Sequence, residues 1–460
     1  MKADDMTDTH APLDYPATEP RPETVRFGAV SYDDAFRWLE EDGDAAVAEW
    51  QRAQDALAQA YLAGLPAFES FAKQIVAIGE TDDVTIPTFA GGRWFKRYVP
   101  DGQDLAVVEV GDSPTEPGRR LIDLNAMRTG EPLSLGVFLP SPDGRKAIFS
   151  WTAGGREEPD LQVLDIDSGQ VLVDGVPHRK PQNFAWLPDS SGFIYLALDA
   201  ALAGEPSLYR VNLADPAAVD AEDVTVDHPV ARPILCADRR HIILALDHLA
   251  PRLEYILDTE GDAGWQPFLK GIPGIFRGDI LGDQFLAITD DGAPRGRLVS
   301  IPLATPTQRD TWKEIVPPSD NVLAFVLVTG ERAVLLDWVD TYARLRVIGK
   351  DGSFEGEIAL PGRGMVNSFG ANMVLPTMID PMARGADGEI LFVFSAFDQA
   401  PALYSANLAT REATQLSKPK HELDVQVRDL DCRSADGARV LYHVVARAGL
   451  DLSKPQPTVI

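Results

Sequence analysis

From about residue 84 to residue 430 the apolar positions fall in short runs rich in Val, Ile, Leu, Phe and Tyr. They are Trp94–Val99, Leu105–Val110, Ala147–Trp151, Leu161–Ile166, Phe193–Leu198, Leu208–Leu213, His241–Leu246, Phe285–Thr289, Arg297–Ile301, Ala333–Trp338, Leu345–Ile348, Ile390–Phe394 and Ala402–Asn407. Runs of this length and composition, bounded by turn residues, predict strands. Asp-Gly pairs punctuate them at Asp101-Gly102, Asp143-Gly144, Asp174-Gly175, Asp291-Gly292, Asp351-Gly352 and Asp387-Gly388. Such a pair signals a hairpin because both positions tolerate positive φ. Upstream the period is different. In Ala45–Leu65 the residues Val47, Trp50, Leu57 and Tyr61 are spaced 3, 7 and 4 apart, one apolar stripe of a helix. Pro66 suits the first turn of a second helix, where Phe68, Phe71, Ile75 and Ile78 repeat at 3, 4 and 3 before Gly79. Two such stripes need a surface to cover.

Many short antiparallel strands over this length cannot form one sandwich. A radial repeat that leaves only short sheet edges is the economical arrangement. Blades of about 50 residues give about seven, so the expected fold is an all-β propeller with a helical N-terminal arm. One unit recurs: Ser141-Pro142-Asp143-Gly144 before Ile148-Phe149, and Leu187-Pro188-Asp189-Ser190-Ser191-Gly192 before Phe193-Ile194-Tyr195. The polar, proline-bearing residues 1–26 (Pro12, Pro16, Pro20, Pro22) read as an extended arm, ordered only where docked. Residues 27–80 read as helical, 81–427 as the propeller, and 428–460 as the opening of a new module. In the last, Val425–Arg428, Ser434–Gly437 and Val440–Val445 give strand, turn and strand. Pro457-Thr458-Val459-Ile460 looks like the start of a further apolar strand.

Charge and chemistry narrow the picture. The net charge of −28 argues against nucleic acid and against an anionic membrane surface. It serves solubility, with an acidic funnel for cationic peptides as the sharper alternative. Cys236 and Cys432 form no Cys-x-x-Cys pair and read as two reduced, mostly buried thiols. The acid-rich start Met1–Met6 is no secretory signal, and no stretch is apolar enough to span a bilayer, so a cytoplasmic location is expected. There is no Gly-x-Ser-x-Gly elbow, phosphate loop or dinucleotide fingerprint. Of His10, His178, His228, His241, His248, His421 and His443, none has metal-ligand spacing, and His241 and His248 read as turn residues beside a strand. No cofactor, metal or catalytic residue is assigned within the chain.

Several segments, taken in order, resemble the prolyl oligopeptidase family of serine peptidases, which includes prolyl endopeptidase and oligopeptidase B. Tyr15-Pro16 is similar to its N-terminal Tyr-Pro. Asp34-Ala35-Phe36-Arg37-Trp38-Leu39-Glu40 resembles its Asp-Pro-Tyr-Arg-Trp-Leu-Glu box, with Trp50 and Gln54 in the helix that follows. Asp123-Leu124-Asn125, Ser141–Arg145, Trp186–Asp189 with Gly192–Tyr195, and Gly292-Ala293-Pro294 with Arg297-Leu298 resemble its blade signatures. Ser434–Gly437, Gly449–Leu452 and Pro457-Thr458 resemble the run into its α/β-hydrolase domain. Ala35 stands where the box has proline, a tolerable change at a helix start.

The resemblance spans about residues 15–460 and implies a lid-like propeller that admits short peptides to a serine active site. The catalytic Ser, Asp and His would then follow Ile460, and residues 428–460 would begin a truncated hydrolase domain. The arm helices, through Trp50, Leu57, Tyr61, Phe68, Phe71 and Ile75, would pack on that domain. A free-standing propeller used for binding, and a seven-bladed enzyme or lectin of another family, stand as alternatives. Proline and basic-residue specificity are equally compatible with the sequence.

Overall fold

The computed structural model describes residues 13–41, 43–79, 85–127, 130–156, 159–177, 179–198, 206–247, 250–366, 380–419 and 423–459. The chain divides into two compact units, Met1–Thr81 and Asp82–Ile460. In the first, helix α1 (Ala45–Ala63) starts at Asp44, whose carboxylate accepts the Ala46 amide at 2.7 Å. Helix α2 spans Phe68–Gly79. The extended residues before them are held by side chains of the motif region. Trp50 Nε1 donates to Thr18 Oγ1 at 2.8 Å, Gln54 Nε2 to the Pro16 carbonyl at 3.1 Å, and Trp38 Nε1 to the Glu19 carbonyl at 3.1 Å. The Arg21 guanidinium lies 4.0 Å over the Trp38 ring. Between arm and helices sits a hairpin, Glu23–Phe27 with Val30–Asp34. The helical periodicity missed it. Val25, Phe27, Val30 and Tyr32 favour strand, and Gly28 turns it at φ +60°.

The second unit carries a seven-bladed β-propeller. Each blade is built from consecutive strands, innermost first. Blade 1 is Thr88–Ala90, Arg93–Tyr98, Val107–Gly111 and Arg119–Asp123; blade 2 is Leu133–Pro140, Lys146–Ala153, Asp160–Asp165 and Val171–Asp174; blade 3 is Arg179–Trp186, Gly192–Leu198, Pro206–Asn212 and Asp215–Ala221. Blade 4 is Ala231–Leu235, His241–Leu246, Arg252–Asp258 and Trp265–Pro267; blade 5 is Phe276–Leu281, Gln284–Thr289, Arg297–Pro302 and Lys313–Val316; blade 6 is Val322–Thr329, Arg332–Val339, Tyr342–Gly349 and Phe354–Ile358. In blade 7, Met365–Val366 and Met382–Arg384 both pair with Glu389–Ala396, followed by Gln399–Asn407 and Glu412–Gln415. A separate hairpin, Val425–Arg433 with Arg439–Arg447, follows.

The core is a set of layers between blades rather than one centre. Ile242, Leu244 and Leu246 pack toward blade 3, while Ile243 and Ala245 on the same strand pack toward blade 5. Strands buried on both faces read as continuous apolar runs, which is why the sequence displays them. The blade 2–3 layer is aromatic, with Trp186, Phe193, Tyr195 and Tyr209. The blade 1–7 layer is the thinnest among the described residues: Trp94, Leu391, Val393 and Leu403, with Ile86, Phe89, Ala386 and Leu416 at its margin.

Turns after the innermost strands tie neighbouring blades together. In the Ser-Pro-Asp-Gly turn, Ser141 Oγ donates to Asp143 Oδ1 at 2.5 Å, and the Asp143 amide donates to Ser190 Oγ of the next blade at 3.2 Å. Of the Asp-Gly pairs, only Asp387-Gly388 has both residues at positive φ; elsewhere the glycine alone takes it. Cys236 is buried but Cys432 is exposed, and the two are not bonded. The expectation of mostly buried thiols fails for Cys432, which lies on the solvent side of the 425–447 hairpin.

Gly91 and Gly144 make the closest approach between blades 1 and 2. A Cβ on Gly91 (φ +56°) would lie 2.0 Å from the Asp143 carbonyl oxygen, whereas one on Gly92 (φ +79°) meets nothing within 4 Å. Gly92→Ala should therefore cost only the left-handed backbone penalty, about 1–2 kcal/mol. Gly91→Ala should cost about 1–3 kcal/mol more, as overpacking does. Urea unfolding of the two variants checks this; equal losses would contradict it.

Candidate functional site

The hairpin after blade 7 docks on the propeller through polar side chains. Asp429 and His443 face each other across it. His443 Nδ1 lies 2.9 Å from Asp429 Oδ1, and its Nε2 lies 3.0 Å from Thr341 Oγ1. Asp429 Oδ1 also accepts the Tyr342 hydroxyl at 2.5 Å, and Oδ2 takes Arg363 Nη1 at 2.6 Å. Arg439 pairs with Asp340 at 3.0 Å, and Phe397 packs against the imidazole with centroids 4.9 Å apart. Thr341 and Tyr342 belong to blade 6 and Phe397 to blade 7, so the hairpin is held by two blades.

The order carboxylate, imidazole, hydroxyl is that of a nucleophilic triad, but the surroundings are those of a latch. The same carboxylate is shared with a phenol and a guanidinium, and the hydroxyl is a secondary alcohol on a tight turn. Asp340 and Thr341 both have positive φ, +48° and +77°. For a β-branched residue this is a real outlier, and the contacts to Arg439 and His443 hold it in place. The hydrogen bonds from Tyr342, His443 and Arg363 hold the Asp429 carboxyl below its ordinary range, while burial and that bond push the Tyr342 phenol up to about 12.

The inner wall carries a second charged group. Asp279, on the innermost strand of blade 5, accepts the backbone amides of Ala237 (blade 4) and Ile280, each at 2.8 Å, and pairs with Arg384 of blade 7. Arg384 Nε also donates to the Val328 carbonyl of blade 6 at 2.6 Å. The Asp279–Arg384 pair thus ties four consecutive blades at the inner edge. Burial pushes the Asp279 carboxyl up, and Arg384 and the amides pull it back.

The remaining sequence candidates have structural places. His241 lies 2.6 Å from Asp238 in the turn that opens its strand, and His228 closes a local turn with Val230. His10, His178, His248 and His421 lie outside the described residues. Among the described residues no group of His, Cys, Asp or Glu could hold a metal, and no helix is long and apolar enough to cross a membrane. On α2, Phe68, Phe71 and Ile75 are exposed, and so is Tyr61 on α1. Sequence reading missed the latch and the inner-wall group because they are assembled from single side chains of different blades and the hairpin, with no local spacing to betray them.

The architecture is that of a propeller whose chain passes from a helical arm through seven blades into a docked hairpin. Residues 16–419 match the family described as the prolyl oligopeptidase N-terminal beta-propeller domain, and the chain belongs to that family. Prolyl endopeptidase of Elizabethkingia meningoseptica is 22% identical over 97% of the chain and 64% of its own length. Dipeptidyl aminopeptidase BI of Pseudoxanthomonas mexicana is 24% identical over 70% of the chain and 48% of its length. A solved structure from a study of two prolyl endopeptidases and their inter-domain dynamics superposes with a TM-score of 0.78 at 25% identity, covering 95% of this chain and 65% of that one. The chain thus spans just under two thirds of the length of these prolyl endopeptidases.

Two expectations follow for the latch. Thr341→Gly relieves backbone strain but removes a hydrogen bond to His443, so hydrogen exchange across Val425–Arg447 should speed up while the melting temperature of the ring holds or rises. Docking should also weaken in acid. A depressed carboxyl stabilises the state in which it is ionised, fully so above its unfolded value, and loses that effect as pH falls through its folded value. After correction for intrinsic rates, exchange should rise at acid pH in the native chain and be less pH-dependent in Asp429→Asn. A hairpin unaffected by either change would contradict the latch.

Proposed function

We propose that the chain is the N-terminal and propeller part of a prolyl-oligopeptidase-type serine endopeptidase that cleaves short peptides. The observation that carries this is the family match across residues 16–419, reaching from the arm through all the blades. In this reading residues 1–26 and 27–80 are the arm and its helices, 81–427 is the gate, and 428–460 begins the α/β-hydrolase part. That part would bring the serine, aspartate and histidine. The ring would act by exclusion, passing a single extended peptide and stopping a folded protein.

The unpartnered apolar faces support the same division. Leu430, Val440 and Tyr442 on the hairpin are exposed, as are Phe71, Ile75 and Val76 on α2. Apolar faces of this kind are where a further domain or partner is buried. Two free cysteines suit a reducing compartment, and we place the protein in the cytoplasm on that ground. Short peptides are the proposed partners.

The chain alone should not hydrolyse a Gly-Pro fluorogenic peptide. Turnover that a serine-directed phosphonate blocks would overturn the assignment of catalysis to a hydrolase part. It should also bind a hydrophobic dye and associate on size exclusion; a dye-silent monomer would contradict the exposed faces.

A further inference from the structure

One ion pair reaches over a whole blade. Asp279 stands on the innermost strand of blade 5 and Arg384 on that of blade 7. Between them Arg384 Nε rests on the Val328 carbonyl of blade 6 at 2.6 Å. All three residues sit near the turns that follow the innermost strands, at the end of the blades opposite the Asp340-Thr341 turn where the hairpin docks. The same end holds the turn at 236–240 of blade 4, whose Ala237 amide donates to Asp279 Oδ1 at 2.8 Å. Cys236, one residue earlier, is buried in the blade 4–5 layer with Phe276, Ile280 and Phe285. Its thiol faces the Ile234 carbonyl at 3.8 Å. Burial pushes that thiol up, Asp279 and Asp238 add to the effect, and Arg384 opposes it.

The pair can give way while the blades stay folded. Arg384 keeps 42% of its side chain exposed, so water and salt compete for it, whereas Asp279 keeps 16%. Without the cation, Asp279 is a largely buried charge held by two amides, those of Ile280 and Ala237. Once the carboxylate turns out to solvent the Ala237 amide loses its acceptor, and a buried amide without one must be met by water. That water stands one peptide unit from Cys236. The strand that follows, His241–Leu246, is held by ladders on both sides and does not need the pair. We propose that the Asp279–Arg384 pair is a releasable strap over the inner edge of blade 6, and that its release frees the turn at 236–240 and uncovers Cys236 while the blades stay folded. In the reading of the ring as a gate, this is a second place of opening, at the end remote from the hairpin. That use rests on the peptidase reading; the strap itself does not.

The test follows two reporters in the Cys432→Ser chain, where Cys236 is the one remaining cysteine. They are alkylation of Cys236 by neutral iodoacetamide and hydrogen exchange of the Ala237 amide. In Arg384→Met both should quicken by at least about ten-fold, and raising salt to about 1 M should quicken both where Arg384 is kept. The alkylation result is diagnostic in its sign. Arg384 favours the thiolate, so losing it without any opening slows the reaction. Arg384→Lys should fall between the two, and it decides the question where the Met variant fails to unfold cooperatively. The central amides of His241–Leu246 should keep their protection in every variant. Reporters that stay at the native rate in both variants, alkylation that slows, indifference to salt, or a rise matched by equal loss of protection within His241–Leu246 would overturn the proposal. So would a Cys236 that reacts in the native strap as fast as Cys432 does in the Cys236→Ser chain. Neither reporter involves turnover. A failure here leaves the peptidase assignment standing, and hydrolysis by the chain would leave the strap untouched.

Discussion

Among the described residues no strand is shared between the first blade and the last. Every sheet of the ring is made of consecutive strands, and among the described residues no backbone ladder clasps the circle where it closes. Closure rests on side chains at the blade 1–7 layer, where Trp94 meets Leu391, Val393 and Leu403. Burying such a side chain is worth about 1.5–3 kcal/mol for the aliphatic members, so this layer is held by a handful of contacts. The other layers are deeper, the blade 6–7 layer most of all, with Val334, Leu336, Phe392, Phe394 and Tyr404. The ring's shape is therefore decided by packing at one thin place.

Polar connections reinforce the circle where packing is weakest in reach, at the inner edge. The Asp279–Arg384 pair links blades 4 to 7, Asp279 accepting the Ala237 amide and Arg384 donating to the Val328 carbonyl. On the side of blades 1 to 3, the contact of Gly91 with Asp143 and the bond from Asp143 to Ser190 serve the same end. On the hairpin side, strain at Asp340 and Thr341 is spent on fixing the segment that leads out of the ring.

The sequence showed the ring through its middle strands. Nearly every run read as a strand is the second or third of a blade, Phe193–Leu198 and Leu208–Leu213 being one such pair. These strands are apolar on both faces, so their residues announce themselves. The inner and outer strands were silent. Phe276–Leu281 carries Arg277, Gly278 and Asp279, and Asp215–Ala221 is mostly exposed. Edge strands answer to solvent on one side, and their composition follows that. The arm was legible in its helices, but the reason for Trp38, Trp50 and Gln54 came only with the bonds to residues 16–19. The latch and the wall were illegible because, apart from the Asp429–His443 pair 14 residues apart, their contacts between elements join residues from 42 to 105 positions apart, and a pattern at that distance has no period.

Among the described residues, side-chain packing is what joins the first blade to the last. Residue-level hydrogen exchange under native conditions tests it most directly, because amides report local opening blade by blade. The account predicts that Arg93–Tyr98 and Gln399–Asn407, which flank the blade 1–7 layer, exchange through an opening of lower free energy than Gly192–Leu198 and His241–Leu246 in blades 3 and 4. Trp94→Ala should lower that opening energy further and leave blades 3 and 4 unchanged. Uniform protection around the ring, or a first opening in blade 3 or 4, would contradict it.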